Sequence, residues 1–218
     1  MPLQSASVLV TGAASGVGAA CARRLIERGA VRLALLDRNS AALADLADEL
    51  ERPGVQIIRL THDLADPVEW AASETRMRIS FGGLTHVAAR ADVAATGEIV
   101  TLRFDTWKRA VGANLDGAFL TLQASLRLIR ANGGNGGSIV LITPDGAMRP
   151  SVGVAAQAAS AAGALQLARI AALEGDADKI RVNVVRHNTA SPERTAAMVA
   201  SLLTNPTQMT GQALDADG

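Results

Sequence analysis

Short apolar runs alternate along the chain with longer stretches whose apolar positions recur at helical spacing. Ser7–Val10, Arg32–Leu36, Val55–Leu60, Leu84–Ala88, Ser138–Thr143 and Arg181–Val185 are rich in β-branched residues or Leu and predict strands, with Gln212–Leu214 a short last one. Between them Gly16–Arg28, Ala41–Glu51, Arg103–Ala131 and Val154–Glu174 are rich in Ala, Leu, Arg and Glu and predict helices. Strands apolar on both faces, alternating with helices, predict an α/β protein: a doubly wound parallel sheet with helices on both faces. The chain shows no internal repeat, low-complexity tract or linker, so residues 1–218 read as one domain. The glycine-rich run Asn132–Gly137 closes one helix before the next strand.

Composition narrows the chemistry. The 218 residues carry 21 basic and 21 acidic side chains, which leaves no electrostatic footprint for nucleic acid or an anionic membrane. A single cysteine, Cys21, excludes an internal disulfide and a thiolate metal cluster, and a cytoplasmic protein is expected. Met1–Ser7 lacks the basic residues of a signal peptide. Pro150–Ala168 is uncharged for 19 residues, long enough to span a bilayer, yet it is mostly Ala, Gly and Ser with Gln157 and Gln166. It predicts a buried helix with close neighbours in a soluble protein. The chain has no tyrosine and only two lysines, Lys108 and Lys179, so no mechanism here can use a phenol.

The segment between the first strand and first helix, Thr11–Gly18, reads TGAASGVG. Glycines there let backbone N–H groups approach a pyrophosphate, with the helix N-terminus adding favourable partial charge. The expected contacts are Gly12, Ser15, Gly16, Val17 and Gly18. Asp37 follows Gly18 by 19 residues at the end of the second strand, where a carboxylate can accept from an adenosine ribose. It would repel a 2′-phosphate, and residues 13–15 supply no basic partner for one, so NAD is expected over NADP if either binds. The competing reading is that the glycines only permit tight strand–helix packing.

These residues resemble the short-chain dehydrogenase/reductase family, from Val8 to Gly218. The TGxxxGxG loop is complete, and Asp63 in HDLAD matches the family's aspartate near the adenine. Trp107–Phe119 resembles the helix that carries its catalytic asparagine, placing Asn114 there, and Ile180–Val185 and Thr210–Gly218 are similar to its last strands. The resemblance implies a Rossmann-type fold and NAD-dependent hydride transfer. That chemistry uses a tyrosine as general acid/base, a lysine four residues later and a serine thirteen residues earlier. Alignment of SIVLIT and the following helix puts Pro144, Gln157 and Ala161 at serine, tyrosine and lysine. Proline has no hydroxyl, glutamine does not titrate near neutrality and alanine carries no charge, so only Asn114 of the four is kept.

Other departures point the same way. Ala89-Arg90-Ala91-Asp92 replaces the family's Asn-Asn-Ala-Gly, putting a bulky carboxylate near the cofactor phosphates, with Arg90 able to pair with Asp92 or to reach an anion. His187-Asn188 replaces the Pro-Gly turn beside the nicotinamide. Only 20 residues separate Thr189 from Thr210, so the substrate lid is shortened. The adenosine half is kept, the nicotinamide half is lost, and NAD binding stays open.

No other constellation qualifies. His62, His86 and His187 lack metal-ligand spacing, so no metal is expected. Cys21 and Ser160 read as packing residues, Ser151 has no histidine near it in sequence, and the acidic residues Asp45, Asp48, Glu49 and Glu51 read as a solvated helix face. A chain that keeps this fold without its chemistry fits a subunit. Family members form tetramers through two long helices, here 103–131 and 154–174, and some pair an inactive chain with an active homologue. The expectation is therefore a non-catalytic partner of an active NAD-dependent alcohol or hydroxyacyl-CoA dehydrogenase in a hetero-oligomer. An NAD-binding sensor or scaffold without turnover stays open, as does an oxidoreductase whose acid is His187 or Asp145.

Overall fold

The computed structural model describes residues 3–14, 16–90, 92–145, 151–187, 191–205 and 208–216. In chain order the strands are β1 (Ser7–Thr11), β2 (Arg32–Leu36), β3 (Gln56–Leu60), β4 (His86–Arg90), β5 (Gly137–Pro144), β6 (Ile180–His187) and β7 (Ala213–Asp215). The helices are α1 (Gly16–Glu27), α2 (Ser40–Leu50), α3 (Pro67–Phe81), α4 (Phe104–Val111), α5 (Gly117–Arg130), α6 (Ala155–Gly175) and α7 (Pro192–Thr204). All described strands pair in parallel in one sheet, in the order β3-β2-β1-β4-β5-β6-β7. The doubly wound, Rossmann-type sheet expected from the alternation is what forms.

Two cores explain why the strands are apolar on both faces. Val8 and Val10 of β1, Leu33 and Leu35 of β2, and Val140 and Ile142 of β5 pack with residues of α1, α2 and α7. The alternate positions Leu9, Ala34, Leu36, Ile139 and Leu141 face the other way and pack with α3, α5 and α6. Period-two alternation thus feeds two helix layers at once.

Several expected boundaries shift, most by a residue or two. β4 begins at His86 rather than Leu84, because Leu84 and Thr85 donate outside the ladder, to the carbonyls of Leu128 and Ser7. The predicted helix 103–131 divides into α4, a π-helical turn at Gly112–Asp116 and α5. The segment from which the lid is missing is occupied in its described part by α7, which packs on α1 and buries Thr195, Ala196, Val199, Ala200 and Leu203. That helix packs into the core on the α1 face of the sheet.

Candidate functional site

The strand order reverses at β1, which has β2 on one side and β4 on the other. A crevice at the carboxyl ends of the strands is expected at such a switch point. A cleft is found there, lined by Gly12, Asp37, Arg38, Asp63 and Leu64 on the β2–β3 side and by Arg90, Asp92, Val93 and Ala113 on the β4 side.

The glycines of the loop differ in what they do. Gly12 has φ +60°, in the left-handed region that glycine tolerates. A Cβ on Gly18 would lie 1.9 Å from the Gly12 carbonyl oxygen, so α1 can rest on the loop only because residue 18 has no side chain. Gly16 (φ +51°) has nothing within 4 Å of its would-be Cβ, leaving open space at the helix N-terminus. The Val17 side chain is buried in the core. Ser15, also expected here, lies outside the described residues.

Asp37 ties this loop to β2. Its Oδ2 accepts the Ala14 backbone N–H at 3.0 Å and its Oδ1 the Asn39 N–H at 3.0 Å. A carboxylate has about four acceptor sites, so capacity for a ribose diol remains. Asp63 is exposed after β3, its Oδ1 accepting the Ala65 N–H at 2.9 Å. The adenosine side of a dinucleotide therefore fits: an open helix N-terminus, a carboxylate at the β2 end, and a second carboxylate after the neighbouring β3. Arg38 was not anticipated from the sequence; a lone arginine after an aspartate carries no motif, and only the fold turns it into the cleft.

The β4 side is different. The Thr11 hydroxyl donates to the Arg90 carbonyl at 2.9 Å and accepts the Arg90 N–H at 2.8 Å, locking the ends of β1 and β4 together. The Arg90 guanidinium then pairs with the Asp92 carboxylate at 3.2 Å, the two side chains only 16% and 9% exposed. Gln157, projecting from α6, donates its amide N–H to the other Asp92 oxygen at 3.0 Å. Arg90 Nε is buried and makes no hydrogen bond among the described residues. This side of the cleft is lined by the chain's own paired polar groups, and a nicotinamide riboside would meet the Asp92–Gln157 contact there.

The family's catalytic positions are distributed as follows. Asn114 sits buried in the π-helical turn, where its amide accepts the Val93 N–H at 2.6 Å and donates to the Val93 carbonyl at 2.9 Å. It holds the segment after β4 in place. Pro144 is the last residue of β5, in register with His187 at the end of β6. Ala161 lies one turn beyond Gln157 on α6 and is buried. None of these four side chains can exchange a proton near neutrality.

Most other singled-out side chains are held in local contacts. His62 bonds to Ser73 Oγ at 2.9 Å and to the Asp63 carbonyl at 2.8 Å, and packs edge-on against Trp70. Burial pushes the His86 imidazole down to about 4, with the Arg181 charge adding to the effect. Burial pushes the Cys21 thiol up to about 12 against a weaker pull from Arg90, which keeps it protonated and inert. Ser160 is buried and donates to the Ala156 carbonyl at 2.7 Å, while Ser151 is exposed. Asp45, Asp48, Glu49 and Glu51 are exposed, with Glu49 paired to Arg23 at 2.6 Å. Asn188 lies outside the described residues. Among those described, no group of acidic, His or Cys side chains could hold a metal ion. No described helix is long and apolar enough to cross a membrane.

A seven-stranded doubly wound sheet with a glycine loop and an acidic residue lining the cleft at its switch point is the frame of a nucleotide-cleft α/β protein. The short-chain dehydrogenase family model matches residues 6–201, and the chain belongs to the short-chain dehydrogenase/reductase family, whose members typically bind NAD or NADP. It is 29% identical over 177 residues to a 2,5-dichloro-2,5-cyclohexadiene-1,4-diol dehydrogenase of Sphingobium indicum, covering 81% of this chain and 70% of that one. It is 31% identical over 195 residues to the cis-4-hydroxycyclohexanecarboxylate dehydrogenase of Sinomonas cyclohexanicum, covering 89% and 77%. A crystal structure of a short chain dehydrogenase from Mycobacterium smegmatis superposes with a TM-score of 0.91 at 25% identity, covering all of this chain and 94% of that one.

Proposed function

We propose that this chain is a non-catalytic subunit of a hetero-oligomer, supporting an active homologous NAD-dependent alcohol or hydroxyacyl-CoA dehydrogenase in the cytoplasm. One observation carries the reading: the side chain at the position of the family's tyrosine, Gln157, is an amide whose N–H is bound to Asp92. An active member needs a titrating hydroxyl there, a cation one turn on and a hydroxyl on the neighbouring strand. This chain offers an amide, the buried methyl of Ala161 and the ring of Pro144. General acid–base catalysis is worth roughly 10²–10⁴-fold and polarisation of the substrate oxygen a comparable factor, so their joint loss leaves too little for turnover. The named activities of the relatives suggest the partner's class of chemistry, oxidation of a ring alcohol.

The partner would dock on α5 and α6. Ala159, Ala162 and Gln166 form an uncharged exposed row on α6, continued by Ile170 and Leu173, which are 50% and 80% exposed, beside the exposed Arg169, and Phe119 of α5 is also exposed. A row of small and apolar side chains with one cation at its edge is the kind of surface that marks an interface.

The test is an assay of the pure chain with NAD(H) and NADP(H) against cyclic and linear alcohols and their ketones. No turnover is expected. The triple variant Pro144→Ser, Gln157→Tyr, Ala161→Lys should stay near zero too, because the lid remains short. Turnover abolished by substitution of a cleft residue in this chain would refute the proposal and favour His187 or Asp145, which stand at the same ends of β6 and β5, as an unfamiliar acid.

A further inference from the structure

We infer that the cleft is a site for an adenosine mono- or diphosphate, and that it takes a dinucleotide no better than it takes the adenosine half alone. The inference deepens the proposed function and rests on it in one respect, the closure of the reaction half by Gln157. The two sides of the switch point have opposite character. On the β2 side Asp37 keeps acceptor capacity, Gly16 leaves open space at the start of α1, and Arg38 adds a cation beside the carboxylate. An adenosine ribose and one or two phosphates match these groups, since helix N–H groups and a guanidinium both favour an anion.

On the β4 side the space is held by a chain of contacts from three elements. Arg90 ends β4, Asp92 follows it, and Gln157 reaches down from α6 to bind the same carboxylate. To admit a nicotinamide riboside, the ligand would have to separate Asp92 from Gln157. That step opposes binding, because a buried charge would lose a partner. A ligand that ends at its second phosphate leaves the Asp92–Gln157 contact in place. Arg90 lines the cleft, held at Nη2 by Asp92, and is the cation on this side towards which a terminal phosphate would be drawn.

Calorimetric titration of the purified protein with ADP, AMP, NAD and nicotinamide mononucleotide tests this. ADP and NAD should bind within about threefold of each other, nicotinamide mononucleotide should give no heat of binding, and Asp37→Ala should weaken ADP and NAD alike by roughly tenfold, the scale of a hydrogen bond to a charged group. Gln157→Ala, or Gln157→Ser should that variant not fold, should leave ADP unchanged and improve NAD at least fivefold by freeing the β4 side. NAD binding tenfold tighter than ADP in the unmodified chain would overturn the inference, as would no ADP binding at millimolar concentration. Hydride transfer followed by absorbance in the same samples separates the two readings. Selective NAD binding without turnover would sink only this inference, and turnover would sink the proposed function.

Discussion

A methyl group at position 18 is a test of the loop at the scale of one residue. Its carbon would stand 1.9 Å from the Gly12 carbonyl oxygen, and neither backbone can move without lifting α1 from β1. Gly18→Ala should therefore destabilise the fold by about 3 kcal/mol or more, the upper range of overpacking, measured as a lowered midpoint of urea unfolding. Gly16→Ala meets no atom and carries only the strain of φ +51°, so it should cost about 1 kcal/mol. His86 supplies a pH dependence. Its imidazole is held near 4 when folded and titrates near 6.5 when unfolded, so the unfolded chain binds the extra proton in that window. Stability is full above pH 6.5 and falls as the pH drops towards 4, by about 2 kcal/mol between pH 7 and pH 5. His86→Gln should flatten that slope; an unchanged slope would assign it to another group.

Residue-level legibility was uneven, for physical reasons. Asp37 and the loop glycines announce themselves because a tight turn before a helix allows few residue types. The Asp92–Gln157 contact joins positions 65 apart in the chain, and no local pattern carries it. The pairing of Arg90 with Asp92 was one of two options open from the sequence, and the fold selects it by pinning the Arg90 backbone to Thr11.

At the scale of elements, the strands were readable because each buries both faces, and the errors fall where hydrogen bonding rather than apolarity sets the boundary. Arg90 reads as loop but ends β4, since its ladder partner Ile142 continues β5. The π-helical turn inside the long helix was invisible to periodicity, because one extra residue per turn rephases the helix without changing its composition. It is that turn which directs Asn114 onto Val93. The α6 row makes a sharper claim. Ala162 is exposed in the isolated chain, so Ala162→Glu would be neutral within about 0.5 kcal/mol if the chain worked alone. If the row is an interface, the charge is buried unpaired and the assembly comes apart. Equilibrium sedimentation should show an oligomer for the unmodified chain and dissociation for Ala162→Glu and Ala159→Glu, with unchanged circular dichroism. A monomer in both would mean that the row faces solvent.

At the scale of the whole molecule, the family frame is retained while the residues at its catalytic positions differ. The sheet order, both cores and the Asp37 carboxylate after β2 are in place. Pro144, Gln157 and Ala161 carry no group that titrates near neutrality, and Arg90 and Asp92 pair with each other beside the cleft. The most direct measurement isolates the complex through a tag on this chain, identifies its members and assays it. A second short-chain dehydrogenase with an intact tyrosine is expected in it. Turnover should vanish when that tyrosine is replaced by phenylalanine and survive Gln157→Ala in this chain. A complex containing only this chain that oxidises an alcohol, and stops when Gln157 or His187 is replaced, would contradict it.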